Sequence, residues 1–293
     1  MFPAQFEYYK AGSVDEALSL LAEHGDREVE LLAGGHSLLP TMKSGLASPD
    51  VLVDIGGIDD LRGVSRNGDA ISVGALTPYA DVAGDEAVHK QATAFAEATQ
   101  AIGDIQVRNR GTVGGNLAHA DPASDLPAAV LAADATVHAA GPDGSRTIPA
   151  DDFFTGLYST ALEEGELLTA VEVPIHDVGG YAKKPSPSSG YAMVGVAAVL
   201  GMDDGTVESA RVAATGAADR ATRLTAVEDA LVGTTLDADS AASAAHHAAD
   251  GIDPSRLMDD TQASAEYRSN LLGVYTERAL AGLADGQGTT VAH

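Results

Sequence analysis

The sequence predicts an α+β protein of two domains, and three observations carry the prediction. Short strands joined by turn signals alternate irregularly with helical stretches up to Pro174, unlike the regular strand–helix repetition of a doubly wound sheet. A stretch rich in Gly, Pro, Ser and Lys, VGGYAKKPSPSSG at 178–190, reads as a linker or crossing loop. Beyond it, two apolar strands across an Asp-Asp-Gly turn precede three Ala-rich helical stretches. The 293 residues suffice for two or three domains of ~100–200 residues each.

Taken in order, FEYYK is a short strand, and SVDEALSLLAEHG is a helix. Ser13 is its N-cap, Glu16 follows three residues on, and Gly25 stops it. EVELLAGG is a strand running into a glycine turn, and VLVDIGG is another strand, which completes a compact βαβ-like unit. LRGVSR and AISVGAL form a hairpin across Asn67-Gly68-Asp69. VHKQATAFAEATQAI is a helix, and ATVHAAGPDGSRTIPA is a second hairpin around Pro142-Asp143-Gly144. After the linker come the two strands of YAMVGVAAVLGMDDGTVESARVAATG and helices near 222–232, 238–249 and 261–283. The expected divisions are 1–176, split at 56/57 into a small and a larger subdomain, then 177–285, then a tail at 286–293.

Charge excludes some partners. Seventeen basic residues against 43 acidic ones give a net charge of -26, and such a surface repels nucleic acid and anionic membranes. The acids are scattered singly along the chain, which suits solvation at high salt and points to a halophilic habitat. There is no cysteine, so these residues hold no disulfide, thiolate nucleophile or cysteine-bound iron–sulfur cluster. No basic leader followed by an apolar core opens the sequence, and no 18-residue apolar run occurs, so a cytoplasmic protein without membrane insertion is expected.

Two glycine-rich segments are the candidate binding elements. LLAGGHSLLP places Gly34 and Gly35 where a strand ends, so a phosphate can approach backbone N–H groups, with the Ser37 hydroxyl alongside. RNRGTVGGN offers Gly111, Gly114 and Gly115, the Thr112 hydroxyl and the Asn116 amide, with Arg108 or Arg110 to offset an acidic field. Each segment also reads as a plain turn, the second with solvated arginines. Neither matches GxGxxG or GxxxxGK[ST], so a doubly wound dinucleotide fold and a nucleotide-hydrolysing loop are both disfavoured. His119, Asp121 and Ser124 lack the GxSxG elbow of a hydrolase triad. His246 and His247 point two ways around a helix and make a poor metal site.

AGGHSLLPTMK at 33–43 together with IQVRNRGTVGGNLAHADPASDLPAAVLAADA at 105–135 resembles the flavin-binding medium subunit of molybdenum hydroxylases, the carbon monoxide dehydrogenase and xanthine dehydrogenase family. The likeness extends through ELLTAVEVP at 166–174 and YAKKPSPSSGYAMVGVAAVL at 181–200. The resemblance implies a vanillyl-alcohol-oxidase (PCMH)-type FAD-binding domain of two subdomains, followed by a smaller α+β C-terminal domain. It implies that Ala33, Gly34, Gly35, His36 and Ser37, with Thr112, Gly114, Gly115 and Asn116, wrap the FAD diphosphate and ribityl chain. Asp125 would serve the adenosine end or its supporting loop. Leu168, Tyr181 and Lys183 occupy places that contact or shield the flavin ring, with Tyr181 as a gate. Two departures stand out: Gly45, where many relatives carry Arg, and Lys184, where an apolar residue is common.

The resemblance further implies an electron-transfer role without a side-chain acid or base. The partners would be a molybdenum-cofactor large subunit and a 2Fe-2S small subunit, in a heterotrimer or its dimer. Two other readings stay open at this point: a self-sufficient flavin oxidase or dehydrogenase for a small alcohol or hydroxy acid, and a scaffold that has lost the cofactor.

Overall fold

The computed structural model describes residues 2–176, 178–284 and 286. The amino-terminal unit contains β1 (Glu7–Lys10), α1 (Val14–Glu23), β2 (Val29–Leu32), α2 (Leu38–Ser44) and β3 (Val51–Asp54). Its sheet has the order β1-β3-β2, with both pairings parallel. The Ser13 hydroxyl accepts from the Glu16 N–H at 3.1 Å. The Glu16 carboxylate reaches back to the Gly12 N–H at 2.8 Å, so the expected start of α1 forms, with the return bond shifted by one residue. Ala11, Ala17, Val53 and Ile58 pack inside against Leu76 and Leu167 of the next unit.

The larger unit begins with the hairpin β4 (Val64–Asn67) and β5 (Ala70–Gly74), closed by Gly68-Asp69 as the Asn-Gly-Asp signal predicts. Six helices follow: α3 (Tyr79–Gly84), α4 (Glu86–Gln91), α5 (Thr93–Gln100), α6 (Ile105–Arg108), α7 (Val113–His119) and α8 (Leu126–Ala132). The single helix expected at 88–102 is broken at Ala92 (φ -142°, ψ 51°), and Asp85 caps its first half through the N–H groups of Ala87 and Val88. Segment 104–127, which looks like a loop for its glycines, holds two short helices, α6 capped by Asp104 and α7 capped by Thr112, before α8 begins. The hairpin β6 (Thr136–Gly141) and β7 (Gly144–Pro149) turns at Pro142-Asp143 as expected. Then come α9 (Ala150–Phe153), the small pair β8 (Phe154–Gly156) and β9 (Ser159–Thr160), and β10 (Leu167–Pro174). β10 enters the middle of the antiparallel sheet β4-β5-β10-β6-β7, and its register against β6 slips between Leu168 and Ala170.

The carboxy-terminal unit overturns one expectation. Most of the supposed linker is β11 (Val178–Pro185), the edge strand of an antiparallel sheet with β12 (Ala192–Asp203), β13 (Thr206–Thr215) and β14 (Thr222–Arg223). Composition suggested a loop, but Gly179 through Lys183 are all buried, because β11 lies against α5 of the preceding unit. Only the turn from Ser186 to Gly190 keeps a loop character. The sheet is covered on both faces. Tyr181, Ala197 and Ala213 join the core of the larger unit. The alternate residues Ala182, Val196, Ala198, Val212 and Ala214 face α10 (Thr225–Leu231), α11 (Ala238–Ala245) and α12 (Ala265–Ala284). Burial of both faces explains why AMVGVAAVLG is a continuous apolar run rather than an alternating one. The tail expected at 286–293 lies, from residue 287 onward, outside the described residues.

Candidate functional site

A cavity of about 580 Å³ opens between the amino-terminal unit and the larger unit, within the ~300–1,000 Å³ common for cofactor pockets. One wall is the turn between β2 and α2. There Ala33, Gly34, Gly35, His36 and Ser37 all line the cavity, and Gly35 has the positive φ of 75° that glycine adopts without strain. Among the described residues, the backbone N–H groups of Gly34, Gly35, His36 and Ser37 have no protein acceptor. Four neighbouring open donors on a cavity wall suit an anion, since buried N–H groups otherwise find partners.

The facing wall is the start of α7. Thr112, Gly114, Gly115 and Asn116 line the cavity too, but the backbone donors of the last three are already engaged. Gly114 N–H donates to Ala75 O at 2.8 Å, Asn116 N–H to Thr112 O at 3.0 Å, and Gly115 N–H to the Thr112 hydroxyl at 3.3 Å. The glycines here divide into two kinds. A Cβ on Gly111 would fall 2.3 Å from the Tyr79 ring, and one on Gly114 would fall 2.5 Å from the Ala75 Cβ, so both exist for packing. Gly115 alone is exposed to the cavity, and a Cβ there meets nothing nearer than the Thr112 hydroxyl at 2.8 Å. The Asn116 amide is fixed at both ends, donating to the Tyr79 hydroxyl at 3.0 Å and accepting from Ser124 Oγ at 2.7 Å.

No lysine or arginine stands among the described residues lining this cavity. The expectation that Arg108 or Arg110 offsets the field inside it is therefore corrected. The Arg108 guanidinium donates to Ile102 O and Gly103 O at 2.9 and 3.0 Å, and Arg110 opens on the opposite side of the loop. Negative charge in the cavity is left to the open backbone donors, and these residues fit a diphosphate on that ground.

Asp125, Tyr181 and Lys183 come together, but away from the cavity lining. Lys183 Nζ lies 2.8 Å from Asp125 Oδ2 and donates to Ala101 O at 2.9 Å, while the Tyr181 hydroxyl donates to Asp125 Oδ1 at 2.6 Å. Burial raises the Asp125 pKa above its ordinary value, with the Lys183 ammonium and the Tyr181 hydroxyl pulling the other way. Tyr181 has no exposed surface and its own pKa is raised by the same burial. A gate must face the opening it covers, so the gate expectation for Tyr181 is corrected: it ties β11 to the first turn of α8. One link from this cluster to the cavity runs through Ser124, the chain neighbour of Asp125, which donates to Asn116 on the wall. Leu168, by contrast, is brought to the cavity by β10, at the slip in register.

Sequence reasoning missed several residues on and beside the cavity wall. Tyr158, more than half exposed, packs its ring at a 46° tilt against His119, with centroids 5.2 Å apart, and both line the cavity. Tyr191, which is 42% exposed, lies near the Ser37 side chain, outside the cavity lining. It sits just past the 186–190 turn, and the signal for it was an aromatic residue directly after a Pro-Ser-rich turn. Glu166 also lines the cavity, where a bidentate bond to Arg146 at 2.6 and 2.8 Å holds its pKa below the ordinary value. His119, Asp121 and Ser124 form no triad: Asp121 Oδ1 accepts from Ala123 N–H, and Ser124 donates to Asn116. His247 pairs with Asp250 at 2.8 Å. Among the described residues, no group of three or more His, Asp or Glu is placed to hold a metal ion, and no helix is long and apolar enough to cross a membrane.

Comparison with known proteins bears directly on this cavity. Residues 4–176 match the family described as the FAD binding domain in molybdopterin dehydrogenase, and residues 180–283 match the CO dehydrogenase flavoprotein C-terminal domain. The carbon monoxide dehydrogenase medium chain of Hydrogenophaga pseudoflava is 38% identical, over 96% of this chain and 97% of that one. The glyceraldehyde dehydrogenase medium chain of Sulfolobus acidocaldarius is 36% identical, over 95% and 98%. A solved structure of the Hydrogenophaga pseudoflava carbon monoxide dehydrogenase superposes with a TM-score of 0.91 at 39% identity, covering 98% of this chain and 99% of that chain. With both domains matched and the open donor turn inside the FAD-binding one, the chain belongs to the FAD-binding flavoprotein family of the molybdopterin dehydrogenases.

Proposed function

We propose that this chain is the FAD-containing electron-transfer subunit of a molybdenum hydroxylase complex. The observation that carries the site is the run of four open N–H donors at Gly34–Ser37, on a cavity with no lysine or arginine among the described residues lining it. These groups would hold the FAD diphosphate, with Gly115 leaving space for it and Asn116 and the Thr112-capped α7 fixing the opposite wall. Leu168 would give an apolar surface to the cofactor, and the Asp125–Lys183–Tyr181 cluster would hold α8 and β11 behind that wall. Tyr158, on the cavity wall, and Tyr191, near Ser37, are the exposed aromatic residues we assign as gate candidates in place of Tyr181. FAD, when bound, supplies two-electron and one-electron redox chemistry.

The chain has no cysteine, so an iron–sulfur relay must come from another subunit. We assign a molybdenum-cofactor large subunit and a 2Fe-2S small subunit as partners, in a heterotrimer or its dimer. Relatives of nearly equal identity are named for carbon monoxide and for glyceraldehyde, which supports substrate choice outside this chain. The scattered acidic surface supports a halophilic, cytoplasmic setting. The domain division proposed is 1–176 and 177–285, with the smaller split at 56/57. A self-sufficient oxidase is not favoured, because the relatives above are medium chains.

Anaerobic mixing tests the reading. The purified yellow chain is expected to keep its flavin absorbance with carbon monoxide, aldehydes or alcohols alone, and to bleach only when the partner subunits are added. Bleaching by a substrate without partners, or a protein that stays colourless with added FAD, overturns it.

A further inference from the structure

Behind the donor turn lies a second recess, of about 250 Å³, which shares Ala33, Gly34, Leu76 and Thr112 with the first cavity as a common wall. Its charged lining is Lys10, Arg62 and Arg110 against one carboxylate, Asp54. That carboxylate is occupied: Oδ1 accepts from Gly56 N–H at 2.8 Å and Oδ2 from the Tyr8 hydroxyl. Arg62 is held in place by Gly56 O at 2.6 Å and Leu76 O at 3.3 Å, with Asp59 4.0 Å from its Nε. Lys10 lies across Gly57, where a Cβ would come within 2.9 Å of its Cε and 3.4 Å of its Nζ. Glycine at 57 leaves the ammonium its room.

Acids outnumber bases 43 to 17 in this chain, and most arginines find a carboxylate: Arg146 pairs with Glu166, Arg211 with Asp151, Arg223 with Glu228 and Arg268 with Asp260. Lys10 and Arg110, among the described residues, have no hydrogen-bond or ion-pair partner, yet they face one recess. Three cations against the one lining carboxylate leave the recess net positive, with Lys10 and Arg110 unpaired, and a bound anion offsets their mutual repulsion. The space is below the ~300–1,000 Å³ of ordinary ligand pockets and suits one phosphate with a short attached group. We propose that this recess binds a phosphate group, free or as the end of a small phosphomonoester, between Lys10, Arg62 and Arg110. It differs from the diphosphate cradle in using side-chain cations rather than backbone donors. The two are mechanically joined, since a Cβ on Gly34 would lie only 2.3 Å from Arg110 O.

Calorimetric titration of the FAD-loaded full chain, at constant ionic strength, tests the site with inorganic phosphate, glycerol 3-phosphate and glycerol. Both phosphates are expected to bind without loss of flavin absorbance, and glycerol not to bind. Tighter binding of glycerol 3-phosphate assigns the ester as the source, and equal or weaker binding assigns free phosphate. Lys10→Gln combined with Arg110→Gln is expected to weaken binding about tenfold or more. Lys10→Arg should retain it, as should Lys43→Gln, which removes a cation outside the recess. Absence of phosphate binding, binding untouched by the double variant, or release of FAD by phosphate each overturns the proposal. The last two place the ion on the general surface and in the flavin site respectively.

Discussion

The two glycine-rich walls of the cavity look alike in sequence and work differently. The turn at Gly34–Ser37 leaves four backbone donors open, and its Ser37 hydroxyl makes no bond to the helix it precedes. The start of α7 spends its donors within the protein, and its Thr112 hydroxyl caps the helix. One wall offers hydrogen bonds to a ligand; the other is a rigid backstop with a single gap at Gly115. Glycine in a motif thus marks close approach without saying whether ligand or protein does the approaching.

The largest expected effect separates these meanings of glycine. In Gly34→Val the added Cβ falls 2.3 Å from Arg110 O and 2.9 Å from Gly111 Cα, both backbone atoms. The loops must part, so FAD retention should be lost and stability should fall by ~1–3 kcal/mol. In Gly115→Val the nearest atom is the Thr112 hydroxyl, so the clash can cost at most the cap that this side chain makes, and no backbone has to part. FAD retention should be lost here too, with stability within ~1 kcal/mol of the parent. The ratio of flavin to protein absorbance, read with thermal denaturation, distinguishes the two. Equal destabilisation in both variants would erase the contrast between the walls.

A middle-sized effect is expected at the two hydroxyls. Thr112→Val removes the cap on α7 and should cost ~1 kcal/mol, with Thr112→Ser restoring it. Ser37→Ala removes no cap, so it should change stability by only a few tenths of a kcal/mol. Melting temperatures of the pair should therefore differ by ~2–4 °C. A larger loss from Ser37→Ala than from Thr112→Val would reverse the assignment of roles.

Much of this was legible in the sequence, for physical reasons that differ by place. The hairpins at Gly68-Asp69 and Pro142-Asp143 were readable because turn chemistry is local. Ser13 was readable because a cap acts within three residues. Strand β11 was not, because its burial depends on α5, some eighty residues earlier, while its glycines and lysines describe a loop. Tyr181 was misread for the same reason: a tyrosine alone does not say whether its ring meets solvent, cofactor or a buried aspartate. Arg110 was assigned to the correct loop and the wrong side of it, since side-chain direction at a turn follows from backbone angles that composition leaves open.

The smallest expected effect lies on a third part of the wall, where neither glycine segment acts. Glu166 lines the cavity beside Leu168, and its carboxylate is held below its ordinary pKa of 4.5, first by the bond to Arg146. A folded-state pKa below the unfolded one stabilises the fold at pH above the unfolded value, and the gain disappears as pH falls through the folded value. Glu166→Gln should therefore cost ~1 kcal/mol or less near neutral pH, because the guanidinium side is open to solvent and screened. The difference from the parent should shrink below about pH 4.5 and vanish in stronger acid. Denaturant titrations of both proteins across that range measure it, and FAD retention should stay unchanged throughout. A difference that grows on acidification would mean that the carboxylate is strained rather than stabilised by its place in the wall. FAD loss without any stability change would mean that Glu166, and not only the backbone donors opposite, touches the cofactor.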